Sequence, residues 1–159
     1  MQIDIIAVGK IRESYIQKGL QEYLKRLVPY ARVGIIEVND EKTPANASLA
    51  EEDGIRQREG DKILAKIKPD SFVITLEIDG ELITSERFAK KLEQLMVSRK
   101  SHLTFIIGGS IGLSGTIKKK ADFAVSFGHF TYPHQLMRLM LLEQIYRAFK
   151  IVRKEPYHK

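Results

Sequence analysis

The chain has 159 residues, 43% hydrophobic and 29% charged, a globular balance that suits one domain with a real core and is short for two. It contains no cysteine, which excludes a disulfide framework, a thiol nucleophile and any thiolate metal site. No apolar run approaches the roughly 20 residues of a membrane-spanning helix, and the opening MQIDIIAVGK lacks the pattern of a signal peptide. A soluble, cytoplasmic protein is expected.

The formal net charge is +6, and its placement says more than its size. Residues 1–70 carry 12 basic and 12 acidic side chains, and residues 71–100 carry 5 of each. Residues 101–159 hold 9 basic against 3 acidic. A basic last third points to an anionic partner, RNA or DNA before a membrane.

In chain order, the isoleucine-rich run QIDIIAV (residues 2–8), stopped by Gly9-Lys10, predicts a buried strand. Ile11, Tyr15, Ile16, Leu20, Tyr23, Leu24 and Leu27 recur at helical spacing, and Pro29 closes that helix. Residues 33–38 (VGIIEV) predict a second strand. The loop of residues 43–48 (TPANAS) is too short to divide the chain and precedes a charged helix ending near Lys68-Pro69. Residues 71–78 (SFVITLEI) predict a third strand, followed by a turn at Asp79-Gly80. A helix capped by Ser85 runs to about Val97, then HLTFII (residues 102–107) and ADFAVSF (residues 121–127) predict two more strands. A long helix follows Pro133 to about Val152. Strands alternating with helices, most of them apolar on both faces, predict an α/β fold with a mainly parallel sheet covered by helices on both sides.

Four constellations could carry chemistry. Ile106-Ile107-Gly108-Gly109-Ser110-Ile111-Gly112 places glycines directly after an apolar strand, where open α/β sheets bind ligands. Its spacing is neither a dinucleotide fingerprint nor a phosphate loop, and a plain turn remains an equal alternative. Ser126-Phe127-Gly128-His129-Phe130-Thr131-Tyr132-Pro133-His134 is an aromatic loop before the last helix, suited to a flat heterocycle or to packing beneath that helix. The last helix is apolar nearly all round, so it must be buried on more than one side, one of them against a second subunit. His134 and Arg138, four residues apart on its apolar face, need a partner from the structure or from a ligand, with the structure favoured. Glu143 and Arg147 read as an ordinary exposed pair. The tail Arg153-Lys154-Glu155-Pro156-Tyr157-His158-Lys159 reads as a solvated terminus, although Tyr157 and His158 can stack, hydrogen-bond and move protons. Lys118-Lys119-Lys120 reads as a solvated helix face that could also meet phosphate. His102 reads as structural, and no cluster has metal-ligand spacing, so no metal is expected.

Taken together, these residues resemble the ribosomal large-subunit methyltransferase H family of the SPOUT α/β-knot superfamily. The resemblance runs end to end, through Ala7-Val8-Gly9-Lys10, Tyr23, Arg26, Pro29-Tyr30, Glu59-Gly60, Ile63-Leu64, Leu76-Glu77 and Gly80. Its specific parts are Thr131-Tyr132-Pro133-His134-Gln135 with Arg138, then Glu143-Gln144-Ile145-Tyr146-Arg147-Ala148, then the ending Pro156-Tyr157-His158. Gly128-His129-Phe130 departs from the family pattern, where a polar residue and a methionine or leucine would precede the threonine.

The resemblance implies one α/β-knot domain over residues 1–159, with a deep trefoil knot and a cofactor site within about residues 103–152. It implies S-adenosylmethionine as cofactor, surrounded by Leu76, Gly108, Phe127, Gly128, His129, Phe130, Thr131 and Tyr132. The implied reaction is N3-methylation of a pseudouridine in large-subunit (23S) ribosomal RNA on the assembled ribosome, by a homodimer. For catalysis the expected residues are His134, Arg138, Tyr157 and His158, the tail folding over the nucleoside from its own or the second subunit. For RNA phosphates they are Arg147, Lys150, Arg153 and Lys154. A non-catalytic ribosome-binding or assembly factor, or a SPOUT methyltransferase acting on another nucleoside, are the alternatives.

Overall fold

The computed structural model describes residues 1–157. Five strands, β1 (Gln2–Val8), β2 (Arg32–Val38), β3 (Phe72–Leu82), β4 (His102–Ile107) and β5 (Phe123–Ser126), form one sheet in the order β2-β1-β4-β3-β5. Every pairing between them is parallel. Parallel strands need crossovers, and helices supply them: α1 (Ser14–Leu27), α2 (Leu49–Leu64), α3 (Ser85–Val97), α4 (Gly115–Lys120) and α5 (His134–Val152). The expected α/β architecture is therefore present.

The strands are apolar on both faces because both are covered. Ile3, Ile5 and Ala7 of β1 face a core completed by Leu20 and Leu27 of α1, Phe88 and Leu92 of α3, and Leu142 and Ile145 of α5. Ile6 and Val8 face the opposite way, onto Ile63 of α2 and Ile117 of α4. At the N-terminal edge of the sheet, His102 Nε2 meets Asp4 Oδ2 at 2.8 Å, which gives His102 the structural role expected of it.

Local chemistry sets the element ends. Ser48 and Glu51 form a reciprocal capping box at α2. Thr84, rather than Ser85, caps α3 by accepting from the Arg87 amide, while Ser85 Oγ reaches across to Gln144 of α5. The α2 helix stops at Leu64, short of the expected Lys68-Pro69, and β5 is trimmed at both ends.

The expected turn at Asp79-Gly80 is instead an irregularity inside β3. The register with β5 shifts between Leu76 and Glu81, and the strand resumes with Glu81 opposite Val125. Gly80 permits this because its backbone lies against that of β5. A Cβ there would stand 2.7 Å from the Val125 carbonyl carbon. Since the obstacle is main chain, Gly80→Ala is expected to displace β5 and cost about 1–3 kcal/mol. Thermal unfolding checks this, and wild-type stability would remove the steric argument.

Candidate active site

The C-terminal ends of β3, β4 and β5 open into a cleft of about 610 Å³, within the usual range for small-molecule sites. β4 delivers Ile107 and the glycine loop, of which Gly108, Gly109, Ser110, Gly112 and Leu113 line the wall. β3 contributes Leu76, Glu77, Ile78 and Asp79, and the segment after β5 contributes Phe127, Gly128, Phe130, Thr131 and Tyr132. The start of α5 closes one side with His134 and Met137.

Seven of the eight residues expected around the cofactor line this cleft: Leu76, Gly108, Phe127, Gly128, Phe130, Thr131 and Tyr132. His129 belongs to the same loop but is not part of the wall. Gly112 and Gly128 take φ values of +82° and +115°, the left-handed side that glycine reaches without strain. A Cβ on Gly108 would stand 3.0 Å from the Gly112 carbonyl carbon, so a side chain there would press the loop open.

Sequence reasoning did not assign Glu77, Asp79 and Lys118 to the site, yet all three line the cleft. Lys118 Nζ meets Glu77 Oε2 at 3.1 Å, and Thr75 Oγ1 donates to Glu77 Oε1 at 2.6 Å. Glu77 directly follows Leu76 where the β3 register begins to shift, and its place beside an expected cofactor residue is its sequence signal.

His134 and Arg138 part company in the structure. Arg138 is fully buried (0% exposed) and outside the cleft. Its Nη2 donates to the Val8 and Gly9 carbonyl oxygens, each at 2.7 Å, and its Nη1 pairs with Glu37 Oε1 at 2.9 Å. The partner demanded by sequence comes from the end of β1. His134 lines the cleft, half-buried beside Gly9. Burial, aided by the Arg138 charge and opposed by Asp40, lowers the His134 pKa below the ordinary imidazole value. The ring is therefore neutral at neutral pH and able to accept a proton.

As far as Tyr157, the tail packs onto α1 and α5 rather than across its own cleft. Tyr157 donates to Glu143 Oε1 at 3.1 Å, and its hydroxyl lies 3.3 Å from that of Tyr23. Burial and the Tyr23 hydrogen bond raise the Tyr157 pKa, so its phenol stays protonated and is not a base here. His158 lies outside the described residues. Arg147 pairs with Glu143 at 2.6 Å and covers the Tyr157 ring. The Glu143–Arg147 couple, with about a fifth to a quarter of each side chain exposed, is part of this packing and not an ordinary surface pair. Lys150 binds Glu155 at 2.6 Å, and Arg153 stacks over Tyr30. For Lys154 no ion pair is found among the described residues.

The family profile described as "Predicted SPOUT methyltransferase" matches residues 1–158. The chain belongs to the SPOUT methyltransferase family. Within it, the chain is 58% identical to the ribosomal RNA large subunit methyltransferase H of Carboxydothermus hydrogenoformans, over the full length of both. The proteins of the same name from Listeria monocytogenes and Enterococcus faecalis are 54% and 52% identical, again over all of both chains. The solved tRNA (m1G37) methyltransferase of Aquifex aeolicus superposes with a TM-score of 0.58 at 17% identity, covering 100% of this chain and 75% of that one. A probable methylase from Haemophilus influenzae gives 0.54 at 13% identity, covering 99% and 70%. At such identities the two structures speak to the SPOUT fold alone.

Proposed function

We propose that this SPOUT methyltransferase transfers a methyl group from S-adenosylmethionine to N3 of a pseudouridine in large-subunit (23S) ribosomal RNA. The observation that carries this is the cleft itself, built from the residues that the resemblance assigns to the cofactor. Full-length relatives named for large-subunit ribosomal RNA methylation support the RNA class. The pseudouridine and its N3 rest on the resemblance of the sequence.

The cleft suits the cofactor's chemistry. Its wall is mostly apolar side chain and glycine backbone, which accepts a flat base by shape and main-chain hydrogen bonds. Two carboxylates, Glu77 and Asp79, stand at the wall, and the lysine there is already paired with Glu77. That balance favours a sulfonium cation over a polyphosphate. When bound, the cofactor supplies an electrophilic methyl carbon whose bond to sulfur breaks as the acceptor nitrogen attacks. The chain's task is then to align the acceptor and take the N3 proton. His134, which lines the cleft, would take that proton, and Arg138 would steady the helix that carries it.

The tail adds a reading of assembly. Beside α5 a second, apolar groove of about 480 Å³ includes Tyr23, Leu82, Phe88, Leu136, Leu139 and Met140. A second copy seated there would make the homodimer and bring Tyr157 and His158 to the partner's cleft. Arg147, Lys150 and Arg153 would then trade present partners for RNA phosphate, joined by Lys154. The knot and a cytoplasmic location complete the reading; among the described residues no helix is long and apolar enough to cross a membrane.

Calorimetry with S-adenosylmethionine tests the cleft: low-micromolar binding is expected, and no binding would favour a non-catalytic ribosome-binding factor. Mass spectrometry of ribosomal RNA from a deletion strain tests the acceptor. One missing methyl on a pseudouridine is expected, and loss from another nucleoside would reassign the substrate.

A further inference from the structure

Behind the cleft, on the face of the glycine loop turned away from the ligand space, α2 presents a buried carboxyl. Glu59 is 4% exposed. Its Oε1 accepts the Glu41 amide at 2.9 Å, and its Oε2 has no hydrogen-bond partner among the described residues. That oxygen faces the loop: a Cβ on Gly109 would stand 3.1 Å from it, so a side chain there would press on the carboxyl. Neighbouring α2 side chains hold the same loop. Arg56 Nη1 donates to the Ile111 carbonyl at 3.3 Å, and Gly60 packs so closely on Ser114 that a Cβ there would overlap its hydroxyl. Gly108, Gly109, Ser110 and Gly112, on the far side of this support, line the cleft.

We propose that Glu59 is a positioning residue of the cleft, its carboxyl holding the glycine loop of residues 108–112 in the conformation that receives the cofactor. This rests on the reading of the cleft as the cofactor site. The carboxyl would tie three segments together: α2, which carries it, the β2–α2 connection through the Glu41 amide, and the loop through a bond from Oε2 toward the backbone beside Gly109.

The neutral acid is the form that suits this role. A carboxyl with one oxygen already accepting a backbone N–H can, when protonated, donate its O–H toward the loop, whose backbone offers carbonyl acceptors. The carboxylate would instead place a charge against Gly109 while the nearby cations are engaged by other carboxylates. Arg56 is engaged by Asp53 and Glu52, while Lys62 and Arg58 are both engaged by Glu41. On the α5 side Arg138 belongs to Glu37, and His134 is neutral at neutral pH. Burial, joined by Asp40 and Glu41 and opposed by the Glu41 amide and Lys62, raises the Glu59 pKa above the usual carboxylate value. A raised value means that the folded loop favours the proton. Its placement is most secure below the ordinary glutamate pKa and weakens as pH rises through the folded one.

The test compares wild type, Glu59→Gln and Glu59→Ala by calorimetry with S-adenosylhomocysteine from pH 5 to 8, together with hydrogen exchange of residues 108–113. Glutamine keeps a donor and an acceptor but cannot ionise, so its affinity relative to wild type should rise with pH. His134 contributes to both proteins, and the ratio cancels it. Alanine leaves the Glu41 amide and the loop unsupported, and should weaken binding roughly tenfold and speed exchange in the loop, with β4 unchanged. A constant Gln-to-wild-type ratio, or alanine with wild-type affinity and loop exchange, overturns the proposal. If the wild type fails to bind, the cofactor reading falls, and loop exchange in the alanine variant alone decides the role of Glu59.

Discussion

Arg138→Ala is expected to lower the stability of the fold by about 3–5 kcal/mol, the cost of breaking a buried ion pair from one side. Three acceptors lose the guanidinium at once: the Val8 and Gly9 carbonyls and the Glu37 carboxylate, which keeps the Ile11 amide. Glu37 keeps about a third of its side-chain surface and can rehydrate, whereas the two carbonyls face a new cavity. Each kcal/mol lowers the Tm of a domain this size by about 2–4 °C, so calorimetry should find a fall of order 10 °C. Arg138→Lys keeps the charge but cannot fork to three oxygens, and should recover only part. Wild-type stability in the alanine variant would show that the guanidinium is not needed there.

His134→Ala is expected to lower the rate of methyl transfer about 10²–10⁴-fold if this imidazole removes the acceptor proton. The sign follows from its lowered pKa. Only the neutral ring accepts a proton, so the wild-type rate should climb with pH through a value below the ordinary 6.5 and level off at neutrality. Single-turnover assays on ribosomes would show that acidic limb in the wild type and not in His134→Gln. A limb that persists in the glutamine variant assigns the base elsewhere. Because Gly9 lies against the ring, histidine variants also need the thermal control applied to Arg138.

The two residues illustrate what a sequence can carry. Their spacing placed them on one face of α5 and demanded a polar partner, both of which the fold supplies. It could not say that one faces a cleft and the other the end of β1, because that partner lies about 130 positions earlier. The strands were legible because parallel strands covered on both sides must be apolar throughout, and the cleft because glycines follow β4. Glu59 was not, since a carboxylate amid the polar residues of α2 looks like solvent-facing surface. Gly80 read as a turn, for a strand irregularity and a turn both use a glycine after an acidic residue. The cations of the last third were legible mainly as charge. The Glu143–Arg147 pair follows from spacing on α5, but its cover by Tyr157 and the Lys150–Glu155 pair depend on how the chain turns back after α5.

The bond from Arg138 to the end of β1 also bears on synthesis. β1 is flanked in the sheet by β2 and β4, and the carbonyls of Val8 and Gly9 at its end await a guanidinium synthesised about 130 residues later. A nascent chain lacking α5 would present an open β1 with unsatisfied backbone at its end, so the native state is reached only once α5 has emerged. Dependence on such distant contacts favours slow, late, all-or-none acquisition of structure over folding piece by piece during elongation.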